Sequence, residues 1–320
     1  MRMTEASEAV RPSRARVQRM KTLVLALVLV AGGACSKKKP GAGGGSATSG
    51  SASGADGSAT GSAGGAGGAG ATGSAGSGSA AMTPPPYAPA KDVPDVIRMA
   101  IAAEDRAVED RMLDAGRKPG EVLGFFGVKP GMKIGELFAG GGYTTELLAR
   151  SVGDGGKIWA QNSTDILDKF ARKPWTARAA KPVMKNVIGV EKPIDDPFPP
   201  EAKDLDLVIT ILNYHDAVWQ KADRAKMNKA IFDALKPGGV YAIVDHSAAA
   251  GTGTRDCETL HRIDEEVVKQ EVQAAGFKLD ASSDVLRNPS DPRDWNTSPR
   301  VVAADKRGTS DRFTLRFVKP

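Results

Sequence analysis

Two short polar clusters carry the residue types that can accept a proton near neutral pH. Asn213-Tyr214-His215-Asp216 follows one apolar run of the chain, and Asp245-His246 follows another. Because an unperturbed imidazole titrates near neutrality, His215 or His246 can act as a general base, with Asp216 next to the first of them. Either histidine can instead cap a strand or satisfy a buried polar group. The sequence therefore predicts a catalytic group of His215, His246 and Asp216 and leaves its acting member open.

The third histidine of the chain, His261, precedes Arg262 and Asp264 at a predicted helix start. A structural hydrogen bond or a lid contact is the favoured role there. The histidines and Cys257 do not show the paired spacing of zinc ligands, so the sequence does not favour a metal site.

A run of three glycines indicates a second kind of chemistry. Gly140, Gly141 and Gly142 follow the apolar run that ends at Phe138, and Thr144 opens a helical pattern behind them. Glycines let the backbone approach a ligand closely, and the free N–H groups at a helix start favour an anionic or polar group. This predicts a nucleotide-type cofactor site at the carboxyl end of a strand, although a plain strand–turn–helix has the same pattern.

The hydrophobic pattern predicts a fold in which the ends of several strands lie close together. Apolar runs typical of strands alternate with segments of helical periodicity, which indicates a parallel sheet in a doubly wound α/β fold. The polar clusters and the glycine turn then fall at the carboxyl ends of strands, where such sheets bind ligands. The predicted strands are a first one that ends at Phe138, followed by 157–161, 187–190, 204–212, 240–244, 277–282 and 312–318.

Helices are expected between these strands and before the first of them. The pattern predicts them at 95–116, 165–171, 222–235 and 259–275, and Pro119-Gly120 is expected to end the first. A loop rich in Pro and Asp, 288–307, is expected to help shape a substrate pocket.

Composition limits the folded part of the chain to residues 84–320. Residues 41–81 are almost entirely Gly, Ala, Ser and Thr, so 36–83 is predicted to be a flexible tether. Residues 1–40 hold nine basic and two acidic residues of the chain's 44 and 38, so the remainder is close to neutral. A basic surface for nucleic acid is therefore not expected.

The amino terminus has the pattern of an export signal. An apolar run at 22–30 follows Arg19 and Lys21 and precedes Cys35, which resembles a bacterial lipoprotein signal over residues 1–35. The resemblance implies a lipid on Cys35, a membrane anchor, and a cell-envelope location, with Ser36 favouring the periplasmic face of the outer membrane. A short uncleaved anchor or a chance apolar run is the alternative.

The motifs together resemble those of class I S-adenosylmethionine-dependent methyltransferases over residues 118–320. The stretches that carry the resemblance are FAGGGYTTELLA, LNYHD, ALKPGGVYAIVDH and LHRIDEEVVKQEVQAAGF. They are most similar to a subgroup of predicted methyltransferases that are often lipoproteins. Membership implies S-adenosyl-L-methionine as cofactor and a Rossmann-like, doubly wound, seven-stranded, mostly parallel sheet whose last strand is antiparallel.

The resemblance also implies cofactor-binding roles for individual residues. Two positions depart from the family pattern, since Phe138 replaces the first glycine and Asn162 replaces an acidic residue that grips the ribose. The implied cofactor residues are Glu136 near the amino acid end, Ala139, Gly140, Gly141 and Gly142 in the loop under it, Asn162 at the ribose, Glu191 or Asp195 at the adenine, and Asn213 beside the methyl group.

Two functions remain open at this point. The first is methyl transfer to a small molecule or an envelope component, by a chain expected to be a monomer. The second is a methyltransferase-like domain that has lost catalysis and only binds, which the asparagine at position 162 and the predicted export both favour. A nicotinamide dehydrogenase is disfavoured, because Thr145 stands where its motif has a third glycine.

Overall fold

The computed structural model of the protein describes residues 83–320. The predicted signal, the predicted lipidation site Cys35 and nearly all of the predicted tether lie outside these residues. No helix within 83–320 has the length and apolar character needed to cross a membrane.

A seven-stranded sheet forms the centre of this part of the chain. Its strand order is β3-β2-β1-β4-β5-β7-β6, and only β7 runs antiparallel to its neighbours. The seven-stranded, mostly parallel sheet with an antiparallel last strand is therefore confirmed. The strands are β1 (Lys133–Leu137), β2 (Lys157–Asn162), β3 (Val187–Glu191), β4 (Leu205–Ile211), β5 (Leu235–His246), β6 (Lys278–Ser283) and β7 (Arg312–Val318).

Helices cover both faces of the sheet, as a largely parallel sheet requires. On β5, Tyr241 and Ile243 pack into an apolar cluster with α8 and α9, whereas Ala242 and Val244 pack into a second cluster with α1, α3 and α4. The helices are α1 (Asp95–Ala102), α2 (Val108–Arg117), α3 (Pro119–Phe126), α4 (Tyr143–Val152), α5 (Thr164–Ile166), α6 (Arg172–Ala179), α7 (Tyr214–Trp219), α8 (Arg224–Ala234) and α9 (Glu265–Ala274).

The prediction of a single helix at 95–116 is wrong, because helical structure is interrupted between α1 and α2. Arg106 lies in the break and donates hydrogen bonds to the carbonyl of Ile101 and to the carboxylate of Asp114. Pro119 begins α3 instead of ending a helix, because its missing N–H is not needed in a first turn.

The helix predicted at 259–275 begins six residues later than expected. Asp264 caps α9, since its side chain accepts a hydrogen bond from the N–H of Glu266 at 3.0 Å. Residues 249–264 form a loop instead, and His261 lies in it with a φ of 52°. His261 is therefore not at a helix start.

The segment between β2 and β3 contains a helix that the sequence did not predict. The predicted helix at 165–171 is a short α5 followed by a π-helical turn at Leu167–Ala171, and the chain then continues into α6. Helix α6 buries no residue completely, so it lacks the apolar stripe by which a helix is recognised in a sequence.

Candidate functional site

The two candidate turns flank the point where the sheet changes direction. From β1 the chain continues to β2 and β3 on one side, and it returns to place β4 on the other side of β1. Ligands of such sheets bind in the crevice at this switch point. Phe138 after β1 and Leu212 after β4 have φ values of 55° and 60°, so both strands end in sharp turns of left-handed backbone.

A buried carboxylate holds the first histidine in place. Asp245 is fully buried, and its Oδ2 accepts a hydrogen bond from the backbone N–H of His215 at 2.8 Å. Its Oδ1 lies 2.7 Å from Nδ1 of the same imidazole and also accepts a hydrogen bond from the N–H of His246 at 2.7 Å. Asp245 therefore links the end of β5 to the start of α7.

All three histidines of the chain meet at this site. The ring centroid of His215 lies 5.9 Å from that of His246 and 5.3 Å from that of His261. Nε2 of His215 is 3.3 Å from Nδ1 of His261 and 3.3 Å from Oδ1 of Asp216. The structure thus brings together the three predicted catalytic residues and adds His261 to them.

The electrostatics of the cluster distinguish its two buried histidines. Burial lowers the pKa of His215, but the negative charges of Asp245 and Asp216 outweigh burial and raise that pKa to about 10. Burial and repulsion by His215 lower the pKa of His246 well below its ordinary value. Burial raises the pKa of Asp216, but its contact with His215 holds it well below the usual range. The electrostatics therefore shift the pKa values of the two buried histidines in opposite directions.

The loop that carries His261 is anchored by the segment at 288–307. The Arg262 guanidinium is fully buried, donates a hydrogen bond to Asp291 at 2.8 Å and lies 4.7 Å from the ring centre of Trp295. Thr297 donates a hydrogen bond to the carbonyl of His261 at 2.7 Å. The segment predicted to shape the pocket therefore fixes the third histidine.

The three glycines face different surroundings. A Cβ on Gly140 would meet only the carbonyl oxygen of Phe138, at 3.9 Å. A Cβ on Gly141 would lie 3.3 Å from Pro174, and one on Gly142 would lie 2.7 Å from Cδ of Arg178. Helix α6 thus packs against the last two glycines, and only Gly140 leaves its side of the turn open.

Asn162 fastens the glycine turn. Its Oδ1 accepts a hydrogen bond from the N–H of Gly140 at 2.8 Å, and its Nδ2 donates one to the carbonyl of the same residue at 3.3 Å. Next to it, Gln161 accepts a hydrogen bond from the N–H of Phe138 at 3.1 Å, and its backbone carbonyl accepts one from the N–H of Ala139. Both polar ends of the Asn162 amide are engaged by the turn.

Glu136 is a carboxylate buried beneath the turn. It is 4% exposed and accepts a hydrogen bond from Oγ1 of Thr145 at 2.6 Å. Burial raises its pKa to about 7, against the lowering effect of that hydrogen bond and of the nearby Arg178 charge. A neutral hydroxyl is thus the one hydrogen-bond donor that the described residues provide for this carboxylate.

The remaining predicted cofactor residues lie in polar contacts of their own. Glu191 is exposed at the end of β3 and forms an ion pair with Arg172 at 3.0 Å. Asp195 lies 3.3 Å from Nζ of Lys226. Asn213 lies on the turn after β4 and donates a hydrogen bond to the carbonyl two residues earlier, at 2.6 Å.

An apolar cavity lies between α3, α4 and the ends of β4 and β5. Leu147, Leu212 and Val244 are among its lining residues, and Arg117 and Arg312 complete one part of the wall. The cavity adjoins the turn after β4, on the side opposite α8 and α9. Neither Asn162 nor Asn213 lines this cavity.

The two arginines of this cavity are not matched by a carboxylate. Among the described residues, neither Arg117 nor Arg312 forms an ion pair, and Arg312 donates its hydrogen bonds to the carbonyls of Gly308 and Ser310. The Arg117 guanidinium lies 4.4 Å from the ring centre of Tyr143. Burial and the neighbouring Arg117 charge lower the pKa of Arg312 to about 10. Two close positive charges, of which Arg312 is buried and Arg117 is half-buried, favour an anionic ligand.

Comparison with family models and with curated protein sequences finds no match. Among solved structures, the chain is similar to a SAM-dependent methyltransferase from Aquifex aeolicus, with 17% identity, 69% of this chain and 97% of that chain covered, and a TM-score of 0.47. A putative sarcosine dimethylglycine methyltransferase from Galdieria sulphuraria gives 18% identity, 68% and 89% coverage and a TM-score of 0.48. Fibrillarin from Aeropyrum pernix in complex with natively bound S-adenosyl-L-methionine gives 13% identity, with 60% of this chain and 68% of that chain covered, and a TM-score of 0.39. The fold itself is established by the order and direction of the strands.

Proposed function

We propose that this protein transfers a methyl group from S-adenosyl-L-methionine to a small acceptor. The observation that carries the proposal is the position of two turns on either side of the switch point between β1 and β4. One turn contains the open side of Gly140 and has Glu136 beneath it, and the other begins with Asn213 and leads into His215. A ligand lying across the strand ends contacts both turns.

The residues of the first turn suit the cofactor that the sequence resemblance implies. Glu136 is a buried carboxylate without a cationic hydrogen-bond partner in the described residues, and the amino group of the cofactor would provide one. Gly140 lets the backbone approach the ligand. Asn162 acts indirectly in this proposal, because its amide holds the turn instead of facing a ribose. Glu191 or Asp195 would face the adenine only after leaving its present ion pair.

The acceptor carries an anionic group, such as a carboxylate or a phosphate, in this proposal. Arg117 and Arg312 would bind that group beside the turn after β4, at the wall of the apolar cavity, whose own volume of about 20 Å³ suits a single water molecule. The bound cofactor supplies an electrophilic methyl group, and most of the rate then comes from alignment of the reactants away from water. The apolar wall formed by Leu212 and Val244 would exclude water from that side.

A calorimetric titration of the full chain with S-adenosyl-L-methionine tests the cofactor. Binding is expected for the native chain, and Glu136→Gln is expected to weaken it by about 10-fold or more, since it removes a charge-assisted hydrogen bond. Glu201→Gln is the matched control, since Glu201 is exposed and far from Glu136 in the sequence, and this variant should bind as the native chain does. The absence of binding at millimolar cofactor would sink the enzymatic proposal.

The alternative function is a binding domain without catalysis. It is favoured by the engagement of both Asn162 amide atoms with Gly140, which leaves the ribose without the grip that the family pattern provides. Radiolabelled cofactor distinguishes the two functions when it is offered with carboxylate- and phosphate-bearing acceptors. Binding of the cofactor without label transfer to any acceptor supports the alternative, and label transfer excludes it.

The location proposed for the domain is the cell envelope, where a lipid on Cys35 would anchor it. The support is the sequence pattern alone, in which an apolar run at 22–30 precedes the cysteine. Fatty-acid labelling of the full chain tests this, with Cys35→Ser as the control. Equal labelling of both chains would contradict the proposal.

A further inference from the structure

We propose that His215, Asp216 and His261 form a binding site for one divalent transition-metal ion of the Zn²⁺ type. Each residue offers one ligand atom, and the three atoms lie within 4.8 Å of one another. The site is separate from the glycine turn, and it goes beyond the methyl transfer proposed above because no ligand atom belongs to the cofactor residues on β1 and β2.

The distances between the three atoms match those around a tetrahedral ion. Nε2 of His215 lies 3.3 Å from Nδ1 of His261 and 3.3 Å from Oδ1 of Asp216, and the last two atoms are 3.5 Å apart. Ligands that bind zinc at the usual bond lengths of about 2.0–2.1 Å in tetrahedral directions are about 3.3 Å apart. One point can therefore lie at bonding distance from all three atoms.

Direct hydrogen bonding explains these distances less well. A charge-assisted hydrogen bond between an imidazolium and a carboxylate is about 2.7–2.9 Å long. The contact between His215 and Asp245 has that length, at 2.7 Å. The three contacts within the triad are all longer, so its atoms surround a common point more closely than they pair with one another.

Asp245 provides the outer contact that metal-binding histidines usually have. It faces Nδ1 of His215 and accepts the proton of that nitrogen, so an ion bound at Nε2 would displace the second proton of the ring. The same carboxylate accepts the backbone N–H of His215 at 2.8 Å, which fixes the ring relative to the sheet. This ligand is oriented before any ion binds.

The second histidine is fixed from another part of the chain. His261 has a φ of 52°, a conformation that non-glycine residues seldom adopt. Its carbonyl accepts the hydrogen bond from Thr297, and the adjacent Arg262 is buried against Asp291. The surrounding contacts thus hold a strained residue with its imidazole facing His215.

The triad leaves room for a fourth ligand. His215 is 3% exposed, whereas the side chains of Asp216 and His261 are 20% and 23% exposed, so the open side of the triad faces solvent. Three protein ligands with one open position are typical of catalytic zinc sites. Two imidazoles and one carboxylate favour Zn²⁺, Co²⁺ or Fe²⁺ over Mg²⁺, which prefers oxygen ligands.

Metal titration of the full chain, purified without a polyhistidine tag and stripped with a chelator, tests the site. We expect one Zn²⁺ per chain by calorimetry and elemental analysis, and Co²⁺ is expected to give the visible absorption of a four-coordinate ion. His261→Ala and Asp216→Ala should each weaken Zn²⁺ binding by about tenfold or more. Asp233→Ala is the matched control and should retain binding, because Asp233 is exposed, pairs with Lys229 and lies outside the triad.

Several results would overturn the proposal. They are no Zn²⁺ binding at micromolar concentrations by a native chain with intact circular dichroism, unchanged affinity in both triad variants, or a loss in Asp233→Ala as large as in the triad variants. A titration with S-adenosyl-L-methionine alone keeps the two proposals apart, since the metal site can be present whether or not the cofactor binds.

Discussion

Asp245 contacts His215 twice, once through the backbone N–H at 2.8 Å and once through Nδ1 of the imidazole at 2.7 Å. The carboxylate comes from the end of β5, and the histidine lies at the start of α7, which follows the neighbouring strand β4. The sheet therefore sets the position of His215.

Asp245→Asn is expected to weaken Zn²⁺ binding by about 10–100-fold, because His215 contacts both carboxylate oxygens and an amide offers only one accepting oxygen, so it orients the imidazole less firmly. Calorimetric titration of the full chain measures the effect. Asp233→Asn, an exposed position paired with Lys229, serves as the control and should leave the affinity unchanged. Native affinity in Asp245→Asn would show that the outer contact has no role.

Glu136 should make the protein less stable as the pH rises. Its folded pKa of about 7 lies above its ordinary value of 4.5, so the folded state binds the proton more tightly than the unfolded state does. Glu136 contributes its full share to the free energy of unfolding below pH 4.5. This share is lost as the pH rises to about 7, a change of about 3 kcal/mol. Urea unfolding of native chain and Glu136→Gln at pH 5 and pH 8 measures it.

The variant should lack this part of the pH dependence, so it should gain stability relative to the native chain at the higher pH. Glu201→Gln, at an exposed position, should follow the native chain at both pH values. The same stability difference between native chain and Glu136→Gln at pH 5 and pH 8 would contradict the raised pKa.

Gly140→Val should abolish cofactor binding, because its Cβ and methyl groups would occupy the open side of the turn. The φ of 56° adds strain of about 1–2 kcal/mol for any residue with a Cβ. Gly127→Val is the control, since Gly127 also has left-handed backbone with a φ of 78° and its added Cβ would meet no atom within 4 Å, and this variant should still bind. Equal cofactor affinity in the two variants would refute the role of Gly140.

Gly141→Val tests a different contact. Its Cβ would lie 3.3 Å from Pro174, so the substitution is expected to displace α6 and to lower the denaturation midpoint. Loss of cofactor binding in this variant alone would therefore not locate the ligand.

Arg178→Met should destabilise the fold by about 3 kcal/mol, because it leaves the buried carboxylate of Asp110 without its cationic partner, whereas Glu146 keeps Arg150 and Lys181. The Arg178 guanidinium contacts Asp110 at 2.6 Å and also pairs with Glu146, and its Nε donates a hydrogen bond to the carbonyl of Gly141. Lys185→Met removes an exposed pair with Asp154 and should change stability by less than about 1 kcal/mol. Similar urea midpoints for both variants would contradict the buried network.

The sequence predicted the sheet because its strands are local patterns. Runs such as 204–212 are apolar enough to be recognised without knowledge of their neighbours, and β4 indeed extends from Leu205 to Ile211. Helix α6 is not predicted by the sequence, because it has no apolar stripe of its own. Its contacts with Gly141 and Gly142 join residues that are far apart in the chain, and a local pattern does not reveal such contacts.

The candidate site was predictable only where it follows strand ends. His215 and His246 come after β4 and β5, so the fold class alone places them together. His261 meets them through a loop of irregular backbone, and no periodicity predicts its course. One signal was available: Asp264 followed by Glu265 and Glu266 is a typical helix start, and it would have placed the histidine before the helix.

The antiparallel strand β7 has a consequence for the order in which the protein assembles. Strand β6 pairs only with β7 in the described sheet, and β7 also pairs with β5, although it is synthesised after both. During synthesis, one edge of β5 and the whole of β6 therefore have no strand to pair with until β7 has been made. We expect a growing chain that still lacks Arg312–Val318 to need protection from aggregation.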